Sequence, residues 1–345
     1  MDLAFYKNKK VLLTGHTGFK GSWMSHILVN AGAELTGYSK CSEKEISLFE
    51  LDGLVGKMNS VAGDVRDLEH LKQVFAEVQP EIVIHMAAQP IVRESYKDPV
   101  ETYTTNVMGT VNILECVRLN PYVKSFLNVT TDKVYLNDER NEGFKEDEPL
   151  DGFDPYSNSK SCSELVTHSY KNSFFADGHC AISTARAGNV IGGGDFAKDR
   201  IIPDCVRAAI KGENIIVRNP YSTRPYQHVL EPVMAYLMIA AHPEKAGYYN
   251  VGPDDCDCFE TGRLVDTFIK YWGEGMQWEN RHDGGPHEAG FLKLDNTKLK
   301  HTFEWTPHWN LDKAIEKTVE WYKIWNSGRN ISECMDKQIK DFIER

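Results

Sequence analysis

Lys10-Val-Leu-Leu-Thr14, then Gly15-His16-Thr17-Gly18-Phe19-Lys20-Gly21, then Ser22 to Ala31: the fold turns on this stretch. The first five residues read as a buried strand, and the last ten read as a helix. Between them, glycines at every third position let the backbone turn tightly and approach an anion. The following helix N-terminus adds amide donors and the positive end of its dipole. Glycine triplets alone are common. Set directly between an N-terminal strand and a helix, this one reads as a cradle for the pyrophosphate of a dinucleotide.

Working outward, Glu34 to Tyr38 is the next strand. A site for NAD often carries an acid at that strand's end, for the adenosine ribose hydroxyls. Here the chain reads Gly37-Tyr38-Ser39-Lys40. That departure leaves NAD and NADP both open, with Lys40 either meeting a 2′-phosphate or lying solvated in a loop. Ser60 to Gly63 is a short third strand, followed by Asp64 and Val65. Asp64 reads either as an acceptor for the adenine amino group or as a turn or cap residue. Leu68 to Val78 is an amphipathic helix and Glu81 to Met86 a buried strand. Ala87-Ala88 then lets the backbone pass close to a cofactor, and Gln89 to Arg93 opens toward the pocket. Asp98-Pro99 caps and starts a helix running toward Asn120. Asn106 within it either holds the geometry of the site or is an incidental core amide. Lys124 to Thr130, Pro155 to Phe175 and Cys180 to Ala187 continue as strand, helix and strand. Such alternation demands a mostly parallel sheet covered on both faces, a doubly wound α/β fold of the Rossmann type.

Past residue 190 the pattern loosens. Gly188 to Asp195 reads as an irregular loop, since three adjacent glycines suit neither helix nor strand interior. Helices are expected at Ile202 to Lys211, Glu260 to Trp272, Asn310 to Trp325 and Glu333 to Ile343, with short strands at Ile215 to Arg218 and Gly275 to Glu279. The organisation expected is a dinucleotide-binding domain over 1–187, to which about 226–250 returns. A smaller C-terminal α/β substrate domain covers 188–330, and a terminal helix 331–345. Trp321, Tyr322 and Trp325 fall at helical spacing and read as core packing.

Two runs carry the chemistry. The strand ending at Thr130 delivers Thr131, Asp132 and Lys133 to its carboxyl end. Pro155-Tyr156-Ser-Asn-Ser-Lys160 then places Tyr156 and Lys160 on one helix face. A phenol is a poor base near neutral pH, because its ordinary pKa is about 10. An ammonium beside it favours the phenolate. Tyr156 next to Lys160 is therefore a proton acceptor suited to an alcohol undergoing oxidation.

Composition bounds the alternatives. With 345 residues, 26% charged, 41% hydrophobic and a net charge of −11, the chain has the make-up of a soluble enzyme. No long basic run points to nucleic acid. No apolar run approaches the roughly 20 residues needed to cross a membrane, and the N-terminus lacks the order of a signal peptide. A cytoplasmic enzyme with reduced thiols is expected. Cys256-Asp-Cys258 has no companion at metal-ligand spacing, so no metal site is expected. Arg186, Arg200, Arg207, Arg218 and Arg224 stand against the acidic background; each singly reads as a surface ion pair, but some among them are expected to hold a diphosphate, with Asn189 a further donor.

With these residues in view, the chain from Lys9 to about Ser327 resembles the extended short-chain dehydrogenase/reductases, and within them the branch of 4,6-dehydratases that act on CDP-glucose. The resemblance rests on Thr14-Gly-His-Thr-Gly-Phe-Lys-Gly-Ser22, His85-Met-Ala-Ala-Gln-Pro90, Thr104-Thr-Asn-Val-Met-Gly-Thr110, Asp154-Pro-Tyr-Ser-Asn-Ser-Lys160, Arg186-Ala-Gly-Asn-Val-Ile-Gly-Gly-Gly-Asp195 and Arg224-Pro-Tyr-Gln-His-Val-Leu-Glu231. Asp132-Lys133 matters most, because related nucleotide-sugar dehydratases mostly carry Asp-Glu there. The branch commonly has serine where Thr131 stands, which keeps the hydroxyl.

The resemblance implies a redox-neutral elimination on CDP-glucose or a related nucleotide sugar, with NAD. Tyr156 would remove the proton of the 4-hydroxyl, Lys160 would tune Tyr156 and bind the nicotinamide ribose, and Thr131 would hydrogen-bond the same sugar oxygen. Lys133 would be the base at carbon 5, or else a ligand of a sugar hydroxyl, and Asp132 the acid for the departing 6-hydroxyl. A lysine base must be neutral when it acts and an aspartic acid protonated, so the two could share one proton. The cofactor would lie along Gly15, His16, Thr17, Gly18, Phe19, Lys20 and Gly21, then Ser39, Asp64 and Val65, then Ala87, Ala88, Gln89 and Asn106. Gln89, Arg93, Asn189, Arg200, Arg224 and His287 would serve the substrate. A homodimer or dimer of dimers through the helices Asp98–Asn120 and Pro155–Phe175 is implied in the same way. A 4-epimerase would share fold, cofactor and Tyr/Lys pair but would not need Asp132-Lys133. A non-catalytic dinucleotide sensor could dispense with Tyr156 or Lys160.

Overall fold

The computed structural model describes residues 2–40, 46–273, 275–281, 284 and 290–344. The chain forms two compact units. The first comprises Met1–Leu136, Glu146–Ala187 and Val233–Asn250, and the second Asn137–Lys145, Gly188–Pro232 and Val251–Arg345.

In the first unit, strands and helices alternate: β1 (Lys10–Thr14), α1 (Phe19–Asn30), β2 (Glu34–Ser39), α2 (Leu48–Leu51), β3 (Asn59–Ala62), α3 (Leu68–Val78), β4 (Ile82–His85), α4 (Val92–Lys97), α5 (Pro99–Tyr103), α6 (Gly109–Leu119), β5 (Ser125–Thr131), α7 (Pro155–Phe174) and β6 (Ala181–Ala187). A seventh strand, Tyr248–Val251, lies beside β6, and across the sheet the order continues β6, β5, β4, β1, β2, β3. The six numbered strands pair in parallel. Register aligns Leu12 with Val83, Val83 with Phe126, and Phe126 with Ile182. This row crosses one face of the sheet and packs with Leu71, Val74 and Phe75 of α3 and Ile113, Leu114 and Val117 of α6. Burial of each such side chain stabilises the fold by roughly 1.5–3 kcal/mol.

Local chemistry sets the helix ends. The Asp67 carboxylate accepts from the His70 amide to cap α3, and left-handed Gln79 closes it. Asp98 caps α5 through the Glu101 amide, with Pro99 in the first turn. The helix expected from Asp98 to Asn120 is not continuous. A π-helical turn at Thr104–Met108 separates α5 from α6. Of Gln89 to Arg93, read as opening toward a pocket, Val92 and Arg93 begin α4.

The second unit is built from short pieces. Val190–Ile191 pairs in parallel with Gln227–His228, so the glycine-rich segment expected to be irregular contains a two-residue strand. Ile215–Val217 pairs with Trp278–Asn280, and Thr223–Arg224 runs antiparallel to Phe259–Glu260. The helices are α8 (Ile201–Lys211), α9 (Leu230–Ala241), α10 (Thr261–Trp272), α11 (Thr297–Phe303), α12 (Leu311–Asn326) and α13 (Ile331–Ile343). The chain leaves the second unit within α9. Trp321 and Tyr322 are fully buried. A Cβ on Gly193 would sit 2.0 Å from Trp321, so the indole occupies the space a side chain there would need. The terminal helix belongs to this unit, docked on α12 by the Gln338 side-chain amide donating to the Lys317 carbonyl at 2.9 Å.

Candidate active site

The turn after β1 has the form an anion cradle needs. Gly15 sits at φ +76°, and a Cβ on it would lie 2.8 Å from the Ala87 amide nitrogen. A Cβ on Gly21 would lie 2.1 Å from the Gly15 carbonyl oxygen. Only glycine lets β1, the turn and the end of β4 come this close. Helix α1 starts after Gly18 with no side-chain cap, which suits its first amides to an anion. The turn also lies at the centre of the sheet, where strand order reverses between β1 and β4. Parallel sheets open their ligand crevice there.

Several residues expected to touch the cofactor also make contacts within the protein. The His16 ring is buried, hydrogen-bonded to Ser60 Oγ at 2.7 Å and edge-on to Phe49, which leaves its backbone for a ligand. Burial pushes its pKa down to about 4. Thr17 and Ser39 join their hydroxyls at 2.8 Å. Asn106 accepts from the Gln89 amide at 2.8 Å and donates to the Gln89 carbonyl at 3.1 Å and to Ser159 Oγ at 2.9 Å. It thus braces the backbone after β4 against α7. The Gln89 side chain is held by Ile91 and Thr102. Val65 is buried, and Gly109 lies against it. Asp64 is gripped by Arg66, whose Nη2 donates at 2.6 Å, with Lys40 Nζ 3.3 Å away. Burial raises its carboxyl, but the Arg66 hydrogen bonds and nearby cations outweigh that and hold it at about 2.

The candidate catalytic residues gather where β5 ends beside α7. Asp154 caps α7 through the Ser157 amide, Pro155 takes the first turn, and Tyr156 stands one helical turn before Lys160. Lys160 is buried and donates to the Val129 carbonyl at 3.1 Å. Burial lowers its pKa to about 8, against the opposing charge of Glu164. Thr131 Oγ1 donates to Asp132 Oδ1 at 2.9 Å, so its proton points at the acid and not at open space. Asp132 is buried. The Lys133 ammonium makes no ion pair or hydrogen bond among the described residues and is half-buried. Ser161 of α7 donates to the Val134 carbonyl at 2.7 Å and accepts from the Gly152 amide at 3.0 Å. The turn bearing Asp132 and Lys133 is thereby tied to the helix bearing Tyr156 and Lys160.

Sequence reasoning missed the support beneath this group. Thr14 Oγ1 accepts from the Met86 and Ala87 amides and bonds His85 Nδ1 at 2.8 Å, so the hydroxyl donates to the ring. Thr110 donates to the Asn106 carbonyl, which leaves it to accept from His85 Nε2 and from Ser163. The chain continues through Asn128 to Thr167. Burial, then the charge of Lys160, depresses His85 to about 3, so the ring is neutral. Glu164 was missed too. It accepts from Thr130, Thr184 and Arg186, the last as a buried ion pair at 3.0 Å. Arg186, one of five arginines read as either diphosphate holders or surface ion pairs, pairs with Glu164 inside the protein and not at the surface. It is buried, its guanidinium also donating to Tyr135 and the Glu146 carbonyl. Tyr236 of α9 is a further omission. Its hydroxyl is buried without a hydrogen-bond partner among the described residues, and burial, with the acidic groups Tyr156 and Asp132 near it, pushes its pKa up. Lys20 lies over its ring, 5.7 Å from the centroid.

Of the residues expected to serve a substrate, Arg93 lies on α4, partly exposed. Asn189, Arg200 and Arg224 lie in the second unit. The Asn189 carbonyl accepts from the Gln227 amide at 3.0 Å. Arg200 pairs with Asp195 at 2.9 Å, and Arg224 is buried. Arg207 pairs with Asp204, and Arg218 with Asp199 and Asp204. His287 lies outside the described residues.

A doubly wound sheet with a dinucleotide cradle and a Tyr/Lys pair beside Thr-Asp-Lys defines a class of nucleotide-sugar-modifying enzymes. Residues 12–318 match the family described as GDP-mannose 4,6 dehydratase, and the chain belongs to it. It is 45% identical to the CDP-glucose 4,6-dehydratase of Salmonella typhimurium, over 99% of this chain and 98% of that protein. It is 25% identical to the mouse dTDP-D-glucose 4,6-dehydratase, over 95% and 93%. Among solved structures, the Bacillus anthracis dTDP-glucose 4,6-dehydratase in complex with NAD aligns with a TM-score of 0.80 at 22% identity, covering 93% of this chain and 98% of that one. The Thermus thermophilus UDP-glucose 4-epimerase complex with NAD also aligns at 0.80, with 24% identity over 91% and 98%. These two likenesses bear on the fold.

Proposed function

We propose that the chain is an NAD-dependent 4,6-dehydratase that converts CDP-D-glucose into CDP-4-keto-6-deoxy-D-glucose and water. The observation that carries the reading is the Thr131-Asp132-Lys133 turn tied to the Tyr156/Lys160 helix, in a chain 45% identical to a CDP-glucose 4,6-dehydratase. The glycine cradle at Gly15 and Gly21 and the uncapped start of α1 fit a pyrophosphate. Bound NAD supplies a hydride acceptor that later serves as donor.

Tyr156 takes the proton of the 4-hydroxyl, and the buried Lys160 charge one turn away lowers the cost of the phenolate. Once carbon 4 is a ketone, the proton on carbon 5 is acidic. Lys133, whose ammonium has no protein partner among the described residues, is placed in this reading to act on that proton. Asp132 protonates the 6-hydroxyl as it leaves as water. Arg200, Arg224 and Asn189 supply donors to the diphosphate. Exposed Val100, Met108, Leu165 and Phe174 on α5 to α7 suit a homodimer across those helices.

The test is a panel of nucleoside-diphosphate sugars offered with NAD, scored by the alkali-induced absorbance of a 4-keto-6-deoxy sugar. CDP-glucose is expected to give the fastest turnover. A 4-epimer as the only product would overturn the reading.

A further inference from the structure

Strand β2 ends at Ser39 and Lys40 follows it, with no acid at the place where a dinucleotide fold usually meets the adenosine ribose. The turn that would hold the pyrophosphate is joined to this spot. The Gly15 amide donates to the Tyr38 carbonyl at 2.8 Å, and Thr17 meets Ser39. A cation here, read alone, favours a 2′-phosphate. The folded chain brings carboxylates from elsewhere. Lys40 Nζ lies 3.0 Å from Glu101 of α5 and 3.3 Å from Asp64 after β3. The second cation, Arg66, is gripped by Asp64 at 2.6 Å, stands 4.0 Å from Glu101, and also feels Asp98. Two cations thus face two carboxylates, with a third acid adjoining. A phosphate dianion arriving there would have to displace carboxylates already paired, and then lie beside them. A ribose hydroxyl can donate to the same carboxylates at no such cost.

We infer that Glu101 is a specificity-determining residue: by pairing with Lys40 it occupies the cation that would otherwise take a 2′-phosphate, so the site selects NAD over NADP. The inference rests on the reading of the glycine turn as a dinucleotide site. Asp98 and Pro99 fix where Glu101 stands, three residues into the capped turn that begins α5.

The experiment is calorimetric titration of the whole protein, stripped of nucleotide by charcoal, with NAD and with NADP. The wild type is expected to bind NAD the more tightly. Glu101→Gln is expected to narrow the ratio of the two affinities about fivefold, the worth of one partly exposed charge pair. Adding Lys40→Ala to Glu101→Gln is expected to restore the wild-type ratio. Because each protein is judged by a ratio, a general loss of binding in a variant does not imitate the effect. An unchanged ratio in Glu101→Gln overturns the inference, as does a double variant that keeps the narrowed ratio. If the wild type binds neither nucleotide, the dinucleotide reading itself fails and the inference with it.

Discussion

Two strand ends in the same sheet each have a lysine beside them, and the protein treats the two in opposite ways. Beside the end of β5, Lys160 is buried, bonded to a backbone carbonyl, and its pKa falls to about 8. At the end of β2, Lys40 is half exposed and ringed by carboxylates. Burial without a close counter-ion makes an ammonium whose proton is available near physiological pH. Exposure among acids leaves an ammonium held in ion pairs. The residue type is identical, so the surroundings decide what each lysine meets: a backbone carbonyl in a buried site at one end, paired carboxylates near solvent at the other.

The comparison breaks most visibly at Tyr156. Tyr156→Phe should slow substrate-dependent reduction of bound NAD by about 10³-fold, the usual worth of a positioned base. Near-normal reduction in a stopped-flow absorbance trace would remove Tyr156 from the role. Lys160→Met should cost about 100-fold and erase a pH limb. Since the charged form helps Tyr156, the wild-type rate should fall as pH rises through about 8. Stability should move the other way. The folded pKa lies below the unfolded one, so the contribution is full above about 10.5 and is lost as pH falls through about 8. Thermal melts from pH 8 to 10.5 should show wild type gaining on Lys160→Met, and parallel curves would contradict the burial argument. Lys133→Ala should keep the first oxidation but lose deuterium entry at carbon 5 in heavy water. Normal deuterium entry would leave Lys133 as a sugar ligand only. Lys40→Ala should give the smallest effect, a stability change within about 0.5 kcal/mol, because its ion pairs are exposed and screened.

Much of the fold could be read from the chain because local signals agreed with one another. The β1-glycine-α1 order, the Asp98 cap and the amphipathic α3 each carried their own chemistry. What escaped lacked such a signal. Helix α9 is apolar on nearly every side, so it has no period to read. The strand Tyr248–Val251 is four residues long. The π-turn that interrupts the helix at Asn106 follows from contacts to Gln89 and Ser159, which lie 17 and 53 residues away. In the site, Tyr156 and Lys160 were legible because one helix sets their spacing. Arg186 stayed open between an ion pair and a diphosphate because its partner Glu164 comes from another element, and a guanidinium meant for an internal carboxylate looks in sequence like one meant for a phosphate. Lys40 was left open for the same reason, since Glu101 stands 61 positions away.

Each unit is assembled from three separate segments, so the backbone passes from one to the other five times, once in the middle of a helix. Exchange of either part between relatives by a single crossover in the gene would therefore cut through both. New sugar preferences in such a chain should arise by point changes or short loop grafts, and a recombinant library built on one breakpoint should yield mostly unfolded products.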